Sequence, residues 1–163
     1  MVKRHLLDAF LLVCGISFVG TPGTVEARTP ATFYLAEHGN DANAGTSPGQ
    51  AWKTIARVNK MQLCPGDAVL FEGGKRFDGN LLVTNSGTAS AFIRIGSYGK
   101  DAASIRAGDS YAVRLLNCQY IKVDNLNLVG SGVTPAGETT NKEQGLDIFS
   151  TAKEGTPWQS IHV

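Results

Sequence analysis

Ile121-Lys122-Val123-Asp124-Asn125-Leu126-Asn127-Leu128 decides how this chain folds. Two alternating triplets, each apolar, polar, apolar, flank an Asp-Asn pair. A period of two marks strands with one face buried. The connection Val123-Asp124-Asn125-Leu126 is too abrupt for a two-stranded hairpin, but it suits a bend between two sheets of one coil. Working outward, similar triplets stand at Val69-Leu70-Phe71, Leu81-Leu82-Val83, Ile93-Arg94-Ile95, Val113-Arg114-Leu115, Leu146-Asp147-Ile148 and Ile161-His162-Val163. Those opening at Val69, Ile93, Ile121 and Ile161 recur at separations of 24, 28 and 40 residues. Coils of about 20–30 residues with growing loop insertions give that spacing.

Three strand columns follow. The first holds Val69, Ile93, Ile121 and Ile161, the second Ile105 and Leu126, the third Leu82, Val113 and Leu146. Ile93, Ile95, Ile121, Val123, Ile161 and Val163 are expected to face one core. Arg94, Lys122 and His162 then face outward on three successive coils. A one-residue slip would expose the aliphatics and bury the basic groups, so the register is strongly set. An antiparallel sandwich competes for the same strands, but the repeat favours an all-β parallel β-helix. With 19 Gly and only 18% charged residues, short strands joined by tight turns are expected, while 42% hydrophobic residues suffice for a core.

Ahead of the coils the pattern reads a strand over 32–35, a loop over 38–50 and a helix over 51–61. Trp52, Ile55, Ala56 and Met61 fall mostly on one helical face, and Pro65-Gly66-Asp67 stops the helix. Trp52 is expected to plug the core from this cap rather than to serve as a sugar platform. The first 27 residues have the layout of a secretory signal: Lys3, Arg4 and His5, an apolar run over 9–20, then Val25-Glu26-Ala27 before the cleavage. A membrane anchor is the rival, but the run is shorter than the ~20 residues a bilayer needs. A lipoprotein site at Cys14 is disfavoured by Val13. The chain thus divides into a signal peptide (1–27), an N-terminal strand, loop and capping helix (28–66), and coils (67–163). The expected destination is secreted, periplasmic or cell-surface.

The run Gly39-Asn40-Asp41, Gly45-Thr46-Ser47, Ala51-Trp52-Lys53-Thr54, Val58-Asn59, Pro65-Gly66-Asp67, Leu70-Phe71 and Gly74 resembles the N-terminal cap of exported right-handed parallel β-helix proteins of the pectate-lyase-like (pectin-lyase-fold) superfamily. Gly87, Ile93-Arg94-Ile95, Tyr98-Gly99 and Tyr120-Ile121-Lys122-Val123-Asp124 continue the likeness, which covers the chain from Thr32 onward. The resemblance implies a right-handed solenoid, incomplete after about four coils where the superfamily stacks more. A short protein that hides its open end by oligomerising is the alternative.

For function, the resemblance implies the N-terminal portion of a secreted carbohydrate-active protein, polysaccharide lyase-like toward acidic polysaccharide. A glycoside hydrolase belongs to the same superfamily. A non-catalytic surface or adhesion β-helix that binds glycan or cell wall is the alternative of another class. Either way the 163-residue chain alone is expected to be inactive. Arg94, Lys122 and His162 are the candidate substrate-binding residues, because basic side chains ~4.8 Å apart on neighbouring strands want an anion or carboxylate between them. Lyases of this superfamily use a Lys or Arg base, yet a solvated face of unrelated charges is the simpler explanation of the column. No catalytic residue is assigned. Glu138, Lys142 and Glu143 lie in the long insertion, where spacing fixes no distance between carboxylates.

Asp124 and Asp147 read as a turn residue and an ion-pair partner for Arg114. Asp41-Ala42-Asn43 opens like a calcium loop, but its twelfth position is Trp52, so turn support is the simpler role. No cofactor or metal is called for, although the resemblance leaves room for calcium in a longer protein. Cys64 and Cys118 could pair in an oxidising compartment or stay as buried thiols. A net charge of +1 offers no field for nucleic acid, and no membrane span remains once the signal is removed.

Overall fold

The computed structural model describes residues 28–130, 145–151 and 161–163. Within them the chain winds as a parallel β-helix. Its strands are β1 (Thr32–Leu35), β2 (Ala68–Glu72), β3 (Arg76–Asp78), β4 (Leu81–Val83), β5 (Ile93–Tyr98), β6 (Ala103–Gly108), β7 (Val113–Leu116), β8 (Ile121–Val123), β9 (Leu126–Gly130), β10 (Leu146–Phe149) and β11 (Ile161–His162). Sheet A orders them β1-β2-β5-β8-β11, sheet B β3-β6-β9 and sheet C β10-β7-β4. Every pairing between these strands is parallel, so each coil passes through A, B and C in turn.

From Ile93 onward the register of the first column is the one the alternation demands, whereas Val69 faces inward but pairs with Ile95, two positions beyond the expected Ile93. Ile93 pairs with Ile121 and Arg94 with Lys122, then Ile161 with Ile121 and His162 with Lys122. Ile93, Ile95, Ile121 and Val123 are buried between the sheets. Removing each such side chain from water contributes roughly 1.5–3 kcal/mol. Asn125 makes the sharp corner from sheet A to sheet B in the left-handed region, at φ 52°. The Ser97 hydroxyl, on the coil below, donates to the Asn125 carbonyl at 2.6 Å and accepts from the Ala103 N–H at 2.9 Å. A buried polar group thus satisfies a backbone that has left the ladder.

Several expectations are corrected. The helix over 51–61 shrinks to one turn, α1 (Ile55–Val58). Trp52 instead lies on extended backbone in a parallel bridge to Leu35, its N–H donating to Tyr34 and its carbonyl accepting from Ala36. Asp41 takes the N–H groups of Lys53 and Thr54, both at 2.9 Å, so the chain before Ile55 is held open. Tertiary demand overrides the helical period here. Trp52 is nevertheless the plug: it is buried, stacks on Phe33 at 5.0 Å, and donates from Nε1 to the Asn43 carbonyl. A side chain at Gly45 would strike its ring.

In the third column Leu81, not Leu82, faces inward and pairs with Val113; Leu82 pairs with Arg114 and is 36% exposed. Three consecutive apolar residues carry no alternation, so only the neighbouring strand settles the face. In the second column Ile105 pairs with Leu128, while Leu126 pairs with Ala103. That sheet also begins one coil earlier than expected, at Phe77. Val163 is 81% exposed, because no strand among the described residues covers β11 on its free side.

Candidate functional site

The outer face of sheet A carries the basic column. Arg94 and Lys122 sit side by side in register, and both reach Asp124: Arg94 Nε lies 3.0 Å from Oδ1, and Lys122 Nζ 3.2 Å from Oδ2. Asp124 thus supplies the carboxylate that two adjacent cations need. Gly96 makes room for it, since a Cβ there would come within 2.4 Å of Asp124 Oδ1. His162 follows Lys122 in the row, but its ring packs against Phe92 at 5.3 Å rather than joining the ions. Phe92 in turn meets Tyr120 edge-on at 5.7 Å. This face is largely self-satisfied.

Sheet C presents a different outer face. Arg114 and Asp147 are paired in register, and Arg114 Nε donates to Asp147 Oδ2 at 2.5 Å. The Arg114 guanidinium lies 4.0 Å from the centroid of the Tyr111 ring. One step along, Phe149 pairs with Leu116 and is 52% exposed. At the strand ends Asn117 accepts the Thr151 N–H at 2.7 Å, donates its own N–H to the Phe149 carbonyl, and adopts φ 53°. An exposed aromatic ring, a neutralised ion pair and a fixed amide therefore share one surface. Such a surface can stack on a pyranose ring and exchange hydrogen bonds with its hydroxyls. The charges of the pair cancel, so nothing there selects a polyanion.

Among the connections after β2, length singles out β10 of the same sheet. The A-to-B corner before β9 has only Asp124 and Asn125, whereas 131–145 lead into β10 and 150–160 lead out of it. Long connections on a rigid scaffold commonly build binding-site walls. Glu138, Lys142 and Glu143 fall in the first of these and lie outside the described residues. Asp147 is the one carboxylate among the described strand residues of sheet C. Phe149 was overlooked in the sequence, although it is an apolar residue at a position whose partner on the alternation points outward.

The comparisons with known proteins agree with this architecture. No family model matches the chain. An 87-residue alignment with the lacto-N-biosidase of Bifidobacterium longum subsp. longum is 44% identical and covers 48% of this chain and 5% of that protein. The crystal structure of the GH136 lacto-N-biosidase from Eubacterium ramulus, in its selenomethionine form, superposes with a TM-score of 0.61 at 25% identity. The native form gives 0.57 at 24%. Each superposition covers 80% of this chain and 26% of the solved one. Both likenesses bear one name. The chain spans about a quarter of the solved relatives' length and a far smaller part of the Bifidobacterium protein.

The remaining candidates have structural roles. Asp41 accepts from Lys53 N–H, Thr54 N–H and, at 2.6 Å, Thr54 Oγ1. Burial by itself would raise its pKa, but the bonds from Thr54 and Lys53, with Arg57 nearby, outweigh it and hold it below the ordinary range. Its oxygens serve the chain. Among the described residues no group of three or more His, Cys, Asp or Glu could hold a metal ion. Cys118 is a free, buried thiol, so the Cys64–Cys118 pair is not formed; burial pushes its pKa up to about 11. No helix among the described residues is long and apolar enough to cross a membrane.

Proposed function

We propose that this chain forms the first coils of an exported glycoside hydrolase acting on a neutral glycan of the lacto-N-bioside type, with the outer face of sheet C as part of its cleft floor. The observation that carries the reading is the 44% identity to a lacto-N-biosidase over 87 residues. The parallel β-helix shared with a second lacto-N-biosidase supports it. Glycosidases work with a pair of carboxylates flanking the scissile bond. Asp147 contributes one carboxylate to this face, held by Arg114, and in this reading it positions sugar hydroxyls. The acid and base come from coils or insertions beyond it. The lyase reading toward acidic polysaccharide has weaker support, because Asp124 already occupies the space between Arg94 and Lys122.

The test uses the protein encoded by the complete reading frame. Incubated with p-nitrophenyl lacto-N-bioside it is expected to release the disaccharide, and with pectate or alginate to form no unsaturated product. Unsaturated uronate ends would restore the lyase reading. Saturable glycan binding without bond cleavage would place the protein among non-catalytic surface β-helices.

A further inference from the structure

Within the glycan reading proposed above, on which this rests, we infer that Leu82 is a specificity-determining residue of the sheet C face. It receives the methyl of a sugar acetamido group whose carbonyl meets Arg114. Among the described residues, two large apolar side chains stand exposed on the outer face of sheet C, Phe149 at 52% and Leu82 at 36%. Ile148 is exposed as well, but it pairs with the buried Leu115 and belongs to the interior side. In register, Leu82 stands beside Arg114, and Arg114 beside Asp147. The sheet runs β10-β7-β4, so the Arg114 side chain, bonded to Asp147 on β10, leans away from β4. An aliphatic surface is therefore left open one step from a guanidinium.

Both groups are held in place by the fold. β4 ends the order of its sheet, and Asn59 braces it there: Asn59 Oδ1 accepts the Leu82 N–H at 3.1 Å, and its Nδ2 donates to the Asn80 carbonyl at 2.8 Å. The Arg114 guanidinium is set between the Tyr111 ring and Asp147. Groups fixed in this way lose little freedom on binding. A sugar hydroxyl laid over Leu82 would give up water for an aliphatic contact, which is costly. An acetamido group matches both neighbours, since its methyl covers Leu82 and its carbonyl oxygen accepts from the guanidinium. Two strands and two residues separate Leu82 from Phe149, about 12 Å across the face. That is the reach of a disaccharide. Phe149 then stacks under one ring while Leu82 and Arg114 read the acetamido group of the other, and a lacto-N-bioside has one such group on its two rings.

Calorimetric titration of the protein encoded by the complete reading frame tests this with two free disaccharides, lacto-N-biose and its analogue with a hydroxyl in place of the acetamido group. Binding is measured because it leaves out any part the acetamido group takes in bond cleavage. The wild type is expected to prefer lacto-N-biose about tenfold. Leu82→Ala should weaken lacto-N-biose about three- to tenfold and the hydroxyl analogue by less than about twofold, so the preference collapses. Leu82→Met keeps an apolar side chain of similar size and should keep the preference. A preference that survives Leu82→Ala, equal losses for both disaccharides, or no preference in the wild type would overturn the role of Leu82. So would the absence of binding by either disaccharide, and the glycan reading falls with it only if p-nitrophenyl lacto-N-bioside is also left uncleaved.

Discussion

Sheet A and sheet C are built from the same coils and the same kind of strand, yet their outer faces are finished differently. On sheet A, Asp124 joins Arg94 and Lys122, and Phe92 is enclosed between Tyr120 and His162. The corner that leaves it before β9 has only two residues. On sheet C the ion pair uses up its charges, but Phe149 stays open, and the longest connections after β2 are those that enter and leave β10. Interior alternation builds the rod on both sides. In the proposed reading, what sets the binding face apart lies outside that interior: an exposed ring, and connections longer than a corner needs.

If the two sheets differ only on their outer faces, their inner faces should be equally costly to damage. Ile121→Ala in sheet A and Leu115→Ala in sheet C both open fully buried sites. Each is expected to lower stability by about 2–5 kcal/mol in urea unfolding. A loss in one sheet alone would mean that the coils are not one cooperative core.

The outer faces should separate in an activity assay. Arg114→Ala or Asp147→Ala is expected to reduce hydrolysis of a lacto-N-bioside by the complete protein about 10–100-fold, the size of a lost charge-assisted hydrogen bond of roughly 1.5–3 kcal/mol. Phe149→Ala should raise KM more than it lowers kcat. Arg94→Ala on sheet A should leave both constants within about twofold, since surface pairs are worth 0–1 kcal/mol. Losses of equal size on both sheets would place the cleft elsewhere.

Asp41, on neither outer face, calibrates what a carboxylate bound by backbone is worth. Asp41→Ala is expected to cost about 1–2 kcal/mol near neutral pH. The folded pKa of Asp41 is depressed from 3.8, so its contribution is fully present above that value and fades as pH falls through the lower folded one. Unfolding curves of the wild type and Asp41→Ala should therefore converge in acid. A gap that persists unchanged to low pH would mean that Asp41 acts through packing alone.

How far the sequence could be read follows from the same physics. Ile93-Arg94-Ile95 and Ile121-Lys122-Val123 announce their faces, because one polar residue between two aliphatics leaves a single register in which no charge is buried. Leu81-Leu82-Val83 has no such marker, and the inward residue there came out one position away. Phe77 was missed because Arg76-Phe77-Asp78 has one apolar residue, too few to show a period. Trp52 was recognised as a plug but on the wrong backbone, since the bonds from Lys53 and Thr54 to Asp41 cannot be seen in a helical projection. The site was harder. Arg94, Lys122 and His162 stand in the expected row, but charge sign along a strand does not reveal that a corner residue, Asp124, turns back to fill it. Phe149 gains meaning only once its neighbours in the sheet are known.

The smallest effect expected is also the one that bears most directly on the basic row. Asp124→Asn keeps the size of the side chain beside Gly96 but removes the negative charge between Arg94 and Lys122. Those groups are about half exposed, so stability should change by no more than about 1 kcal/mol. Recognition should change more visibly than stability. With the carboxylate gone, two cations on adjacent strands lie side by side without it, and an outside anion can take its place. The variant should then be retained on a heparin or pectate column at low salt and elute as screening sets in above about 0.1 M, while the wild type passes through. Retention of the wild type would show that Asp124 does not satisfy the row, and would return the outer face of sheet A to the list of binding surfaces. If neither protein is retained, the two cations are spaced for each other's solvation and not for a ligand, and sheet A is scaffold on both of its faces.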